Sequence, residues 1–243
     1  WGRSPYLNVS FLPRAFYHDR QDSMPACSHF LGAPRDSDEV THDREHLLVA
    51  LGNTFSPAVL KPLLRILEMH LMADESITVL LLAGGSPLVR NIAKLPNVWD
   101  AGWMSYNEAF ERSFACIGHG GMNFIWHALH SRITPLIVPS GIGDQLYNAT
   151  QMQQHGALVE FPRVTLCSRI PGLRRFGVRL SAVSTSAAAR RLLETRRERV
   201  FPLEGLAAAM ETGGGVAAMV RLLEELATAR APVTACPAAP CCC

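Results

Sequence analysis

Between Glu45 and His155 the sequence alternates short, almost wholly apolar segments with stretches whose apolar residues recur at helical spacing. His46–Leu51, Ile77–Ala83, Asn97–Ala101, Phe114–Gly118 and Thr134–Val138 read as strands. After the first of them, Val59, Leu63, Ile66, Leu67 and Leu71 fall on one helical face, behind Ser56 as N-cap and Pro57 in the first turn. Ser105 followed by Glu108 reads as a capping box for a helix to Arg112, and Met122–His130 and Gln145–His155 read as further helices. Strands without polar alternation belong to a parallel sheet covered on both faces. The pattern therefore predicts an α/β fold, a Rossmann-like doubly wound parallel sheet. Ligands of such sheets sit beyond the carboxyl ends of the strands, where the strand order reverses. Three loops that follow strands, Gly52–Phe55, His119–Asn123 and Ser140–Gln145, are expected to converge there.

Composition narrows the function. Apolar residues make up 48% of the 243, enough for a real core. The net charge is +2 and no basic stripe interleaves with aromatics, so a nucleic-acid partner is not expected. No basic segment followed by an apolar run opens the chain, and runs such as Leu47–Leu51 and Val79–Ala83 are too short to cross a bilayer. Of seven cysteines, Cys236, Cys241, Cys242 and Cys243 crowd into a Pro/Ala-rich terminus, while Cys27, Cys116 and Cys167 lack metal-ligand spacing. The expectation is a reducing, cytoplasmic setting and no metal. Because the chain opens on Trp1 in sequence that reads as folded, a truncated reading frame is also expected. Beyond Phe161 the pattern weakens. Pro162–Leu180 reads as an irregular insertion, Ser186–Arg199 and Val216–Ala229 as helices broken apart by Gly213-Gly214-Gly215, and 231–243 as a disordered tail.

The segment richest in chemistry is the strand Phe114–Gly118 running through His119-Gly120-Gly121 into a helix at Met122-Asn123. Glycines permit positive φ and close approach of backbone to a ligand. A helix N-terminus offers free N–H groups and partial positive charge, which suit a diphosphate. His119 stands at the mouth, able to donate to a phosphate oxygen or to be protonated beside it. The alternative is a plain strand-to-helix turn with an incidental His. A His-Gly-Gly stretch also serves esterases, but no G-x-S-x-G elbow exists here, and the G-x-x-x-x-G-K-[ST] phosphate loop is absent too.

The segment His119–Asn123, together with Pro135–Phe161 (PLIVPSGIGDQLYNATQMQQHGALVEF), resembles the donor-binding signature of UDP-glycosyltransferases, glycosyltransferase family 1, in its macrolide glycosyltransferase-like branch. HLLVALGNTF at 46–55 resembles the family's first strand and phosphate loop, and LPNVWDAGWMSYNEAF at 95–110 its W-x-P-Q segment. Leu7–Arg14 with His29–Pro34 resembles the end of the acceptor domain and the linker. The resemblance covers Leu7 to Phe161, and Ser181 to Ala229 more loosely. It implies the C-terminal half of a GT-B fold, with residues 1–40 as the end of the acceptor domain and linker and 41–230 as the nucleotide-sugar domain. Trp103 would stack on uracil, the alternative being a core Trp. His119, Gly120 and Gly121 would bind the diphosphate with backbone at Met122 and Asn123, and Gly52, Asn53 and Thr54 would face it from the opposite loop. Asp144 and Gln145 would bind sugar hydroxyls, with Asp144 also apt as an N-cap. Asn148 would reinforce the site or face solvent.

Implied partners are a UDP-sugar co-substrate and a lipophilic hydroxyl acceptor, with no cofactor or metal and inverting transfer as the reaction. The base, a His activated by an Asp, would lie in an N-terminal domain outside this chain, so no catalytic residue is assigned; His18 and His29 sit in linker-like sequence. The chain departs from the family pattern at several points. Phe124 and Ile125 follow Asn123 where Ser or Thr is usual, and His127 replaces a Glu that often binds ribose hydroxyls. Ser105-Tyr106 stands for Pro-Gln, and Arg132-Ile133-Thr134-Pro135 for Gly-x-Pro. The favoured expectation is a donor-binding part that is inactive alone. The others are the donor subunit of a two-chain enzyme and a non-catalytic degenerate homologue, toward which Phe124, His127 and the Cys-rich terminus point.

Overall fold

A computed structural model describes residues 7–17, 24–33, 44–51, 57–69, 76–83, 89–140, 143–167, 175–198 and 201–229. In chain order these form β1 (Asn8–Ser10), β2 (Ser28–Phe30), β3 (His46–Ala50), α1 (Pro57–Leu67), β4 (Thr78–Leu82), β5 (Val98–Asp100) and α2 (Tyr106–Glu111). Then follow β6 (Ser113–Gly118), α3 (Met122–His130), β7 (Thr134–Ile137), α4 (Gly143–Gln154), β8 (Leu158–Val159), β9 (Arg163–Cys167), β10 (Arg175–Arg179), α5 (Ala182–Glu198), α6 (Glu204–Glu211) and α7 (Gly215–Ala229). The chain divides into two compact units, Glu39–Leu203 and the combination of Trp1–Asp38 with Glu204–Cys243.

Glu39–Leu203 is built on a six-stranded sheet in the order β5-β4-β3-β6-β7-β8, every pairing parallel. Numbered along the chain, that is 3-2-1-4-5-6, the doubly wound order, with its reversal between β3 and β6. The apolar runs form these strands because both faces are covered: Leu47, Leu48, Val49, Val79, Leu80 and Leu81 are all fully buried. Each such side chain gains roughly 1.5–3 kcal/mol by leaving water. Val59, Leu63 and Leu67 of α1 pack into the same cluster, as do Ala189 and Leu192 of α5.

Several sequence expectations need correction. The segment expected to be an irregular insertion, 162–180, carries β9 and β10, paired antiparallel from Arg163–Arg179 to Cys167–Arg175. Helix α5 begins at Ala182, ahead of the expected Ser186, because the Ser181 hydroxyl accepts from the Ser184 N–H at 3.3 Å and caps it. Half of the capping box on α2 forms: the Ser105 hydroxyl accepts from the Glu108 N–H at 3.2 Å, while the Glu108 carboxylate turns forward to Arg112 at 3.1 Å. Helix α6 went unpredicted; it buries Leu206, Ala207 and Met210. Among the described residues no single helix is long and apolar enough to cross a membrane.

The unit boundary also differs from 1–40 and 41–230. Residues from Glu204 onward group with the N-terminal segment rather than with the large sheet. The reason lies in the backbone: Ala33 N–H donates to Met210 O at 2.8 Å, and Gly215 N–H donates to Leu31 O at 2.8 Å. In this unit β1 and β2 form a two-stranded parallel pair whose residues are all half-buried. Phe16 is its most buried large side chain, and Tyr17 meets the Ser10 hydroxyl at 2.9 Å. The expectation of a disordered tail at 231–243 lies outside the described residues, as does Ser56.

Candidate functional site

Register places the expected loops together. Ala50 of β3, Gly118 of β6 and Ile137 of β7 are direct cross-strand partners, so the chain leaves three neighbouring strands at one level of the sheet, at the reversal in strand order. The chain segments that leave at 119 and 138 thus start from one edge, as the alternation predicted for two of the three loops. Gly52, Asn53 and Thr54 lie outside the described residues.

The turn from β6 into α3 is shaped by two absent side chains. Gly120 has φ +77°, and a Cβ there would stand 2.7 Å from Ile137 Cγ2, so only glycine fits. Gly121 is the N-cap of α3 in extended conformation and has no side chain with which to cap. A Cβ at Gly121 would lie 2.6 Å from His119 Nε2, which means the imidazole rests over the start of the helix. Among the described residues no hydrogen bond takes up the backbone N–H of Gly121, Met122 or Asn123. These are the orphan donors every helix start presents, and here neither cap nor neighbour satisfies them.

Helix α4 supplies the opposite wall. Asp144 stands in its first turn, since α4 opens at Gly143; it is therefore a first-turn carboxylate and not the N-cap. Its negative charge faces His119 and pushes that imidazole's pKa up, but burial dominates and the net direction is down from 6.5. His119 is thus a neutral ring at pH 7, with one of its two nitrogens a donor. Gln145 is 3% exposed, and its Oε1 accepts from both the Ser140 N–H at 3.0 Å and the Ser140 hydroxyl at 2.5 Å. Asn148 is 2% exposed and donates from Nδ2 to Gly120 O at 3.0 Å. It does not face solvent.

Trp103 is 81% exposed, which overturns the alternative of a core Trp. It follows β5 on a loop bent by Gly102, whose N–H donates to Asp100 Oδ1 at 3.1 Å. Tyr106, three residues on, meets His127 of α3 edge-on at 5.4 Å between ring centroids. That contact brings the Trp103 segment to the helix that starts at the turn. His127 lies among Tyr106, Phe110 and Trp126, and burial there, with His130 adding repulsion, lowers its pKa to about 4. Phe124 is 1% exposed and turned inward; a Cβ at Gly118 would overlap its ring. The departure at Phe124 is therefore a core residue and not a ligand-facing one. Arg132 is the one non-glycine residue with positive φ (52°) among those described.

Sequence reasoning missed Ser140 as a functional neighbour; the signal was its place at the end of an apolar strand, five residues before Gln145. No group of three or more His, Cys, Asp or Glu side chains among the described residues is placed to hold a metal.

No family model matches the sequence, and no curated protein matches it. Solved structures do match in shape, glycosyltransferases among them. The calicheamicin glycosyltransferase CalG4 superposes with a TM-score of 0.62 at 21% identity, over 93% of this chain and 53% of that one. SnogD from Streptomyces nogalater gives 0.60 at 20% identity, over 91% and 57%. The spinosyn rhamnosyltransferase SpnG complexed with thymidine diphosphate gives 0.61 at 17% identity, over 91% and 57%. These likenesses establish the fold: a parallel α/β sheet with flanking helices, matching part of the GT-B glycosyltransferase fold. The chain spans a little over half the length of the structures it matches.

Proposed function

We propose that this chain is the nucleotide-sugar-binding part of a glycosyltransferase and that its donor sits in the β6–α3 turn. The observation that carries the reading is the set of open N–H groups at Gly121, Met122 and Asn123, at the strand-order reversal, under a neutral His119. Four phosphate-facing features combine: partial positive charge, free donors, a backbone stripped of Cβ atoms, and an imidazole able to donate. Asp144 would repel a phosphate, so its carboxylate suits the hexose hydroxyls instead. Trp103, exposed and tied toward α3 through Tyr106, is the stacking surface for the base.

In the assigned reaction an acceptor hydroxyl oxygen bonds to the anomeric carbon as the bond from that carbon to the diphosphate breaks. The configuration inverts and the nucleoside diphosphate leaves. This chain's share is to neutralise the leaving group. The base that takes the hydroxyl proton, and the pocket for a lipophilic acceptor, are assigned to an acceptor half outside these residues, so the chain alone would bind donor without transferring sugar. The thymidine diphosphate in SpnG makes a thymidine nucleotide as apt a probe as the uridine nucleotide that the sequence resemblance implies.

Calorimetric titration with uridine diphosphate, thymidine diphosphate and UDP-glucose tests the reading. Binding between micromolar and millimolar, roughly −8 to −4 kcal/mol, that weakens in His119→Ala is the expected result. A folded chain that binds none of the three would overturn it.

A further inference from the structure

Two glycines in a row make the planar peptide unit between them the most easily reoriented in the turn, because neither residue has a Cβ to restrict the ψ and φ that flank it. Left to itself, that peptide could present either its N–H or its carbonyl oxygen to an incoming anion, with opposite electrostatic consequences. We propose that Asn148 resolves the choice: it is a positioning residue that holds the Gly120 carbonyl against α4 and so aims the Gly121 N–H into the turn. The proposal rests on the donor-site reading above.

The geometry is direct. Asn148 Nδ2 donates to Gly120 O at 3.0 Å, and the bond is buried. No peptide bond in the described chain is cis. In a trans peptide the carbonyl and N–H point in opposite directions, so a carbonyl drawn toward α4 sends the Gly121 N–H the other way. A backbone carbonyl can only accept, which fixes Asn148's amide as the donor. Gln145, less than one turn earlier on the same helix, does the matching work on the next loop, where its Oε1 accepts from the Ser140 N–H and hydroxyl. Two buried amides on one face of α4 thus hold two loops, one by donating and one by accepting. Gln145, which the sequence resemblance casts as a sugar contact, and Asn148, which it casts as reinforcing the site, act here as frame. Their removal would take a hydrogen bond from the buried Gly120 carbonyl and another from the buried Ser140 N–H, each costly.

Asn148→Leu keeps the branched heavy-atom shape and removes the donor. Titration compares thymidine diphosphate with thymidine, and uridine diphosphate with uridine, for the wild type and the variant. The expected result is a roughly tenfold loss in diphosphate affinity, the scale of one buried hydrogen bond, with nucleoside affinity unchanged within about twofold. If diphosphate and nucleoside weaken together, or neither weakens, Asn148 does not aim the cradle. Should Asn148→Leu fail to fold, the wild type labelled with 15N-glycine decides the same question. Among its glycine amides, that of Gly121 should shift and gain exchange protection with thymidine diphosphate and not with thymidine. A Gly121 amide indifferent to a diphosphate that does bind would overturn the proposal. A wild type that binds no diphosphate would instead bring down the donor-site reading, and this inference with it.

Discussion

The two units reach their order in different ways. In Glu39–Leu203, strands β3, β4 and β6 lie inside a sheet whose residues from Leu47 to Ala50 and Val79 to Leu81 have no exposed surface. In the unit formed by the two ends of the chain, β1 and β2 are half-buried throughout, and α7 buries only Gly215 among its fifteen residues, leaving Val216 69%, Val220 48% and Leu223 45% exposed. One unit is held by side chains packed in layers. The other leans on backbone bonds such as Gly215 N–H to Leu31 O and on the close crossing at Gly32, where a Cβ would overlap Met210 O. Apolar composition alone does not distinguish them, since ten of the fifteen α7 residues are Val, Leu, Met or Ala. What separates them is whether those side chains meet partners.

That contrast can be tested by substitution. Leu48→Ala, at the centre of the sheet, should cost about 4 kcal/mol, combining lost burial and a cavity; the midpoint of urea unfolding reads it. Gly32→Ala should cost about 2 kcal/mol, because Gly32 has φ +58° and its neighbour at the crossing is backbone that cannot step aside. If the terminal unit melts separately, its own transition should move while the large unit's stays. Acidification acts on the large unit. Folding lowers the His127 pKa from 6.5 to about 4, so the unfolded chain binds the proton first as pH falls. Its contribution is complete above pH 6.5 and is lost as pH falls toward 4, roughly 1 kcal/mol after allowing for solvent screening of a part-exposed ring. Stability measured at pH 7.5 and 5 should therefore differ less in His127→Gln than in the wild type. The smallest effect belongs to Leu223→Ser on α7, within about 0.5 kcal/mol. A loss of 2 kcal/mol there would show that α7 packs against something and would dissolve the contrast.

Much of this was readable in advance, for reasons that also explain what was not. Continuous apolar runs such as Leu47–Leu51, with helices between them, point to a covered parallel sheet, and the doubly wound class followed. The β9–β10 pair escaped because Arg163, Arg175 and Arg179, with Gly177, blur the alternation of Val164 with Leu166 and of Phe176 with Val178. The union of Leu31–Ala33 with Met210 and Gly215 was illegible in principle, being made of backbone groups that every residue carries. At the site, the His119-Gly120-Gly121 turn announced itself through residue types. The roles of Gln145 and Asn148 did not, since an amide on a helix reads the same whether it touches ligand, solvent or a neighbouring carbonyl. At Trp103 the alternative of a core side chain fails, since the ring is exposed, while Phe124, which seemed to mar the binding motif, is core.

Gly118 and Phe124 lie six residues apart, yet they compete for one volume, since a Cβ at 118 would overlap the Phe124 ring. While the ring fills the space over the end of β6, position 118 can accept no side chain at all; once the ring shrinks, that ban is lifted. Drift along this turn should therefore have a required order, with 124 yielding before 118, and a lineage that tried the reverse would pass through a chain unable to close its own sheet.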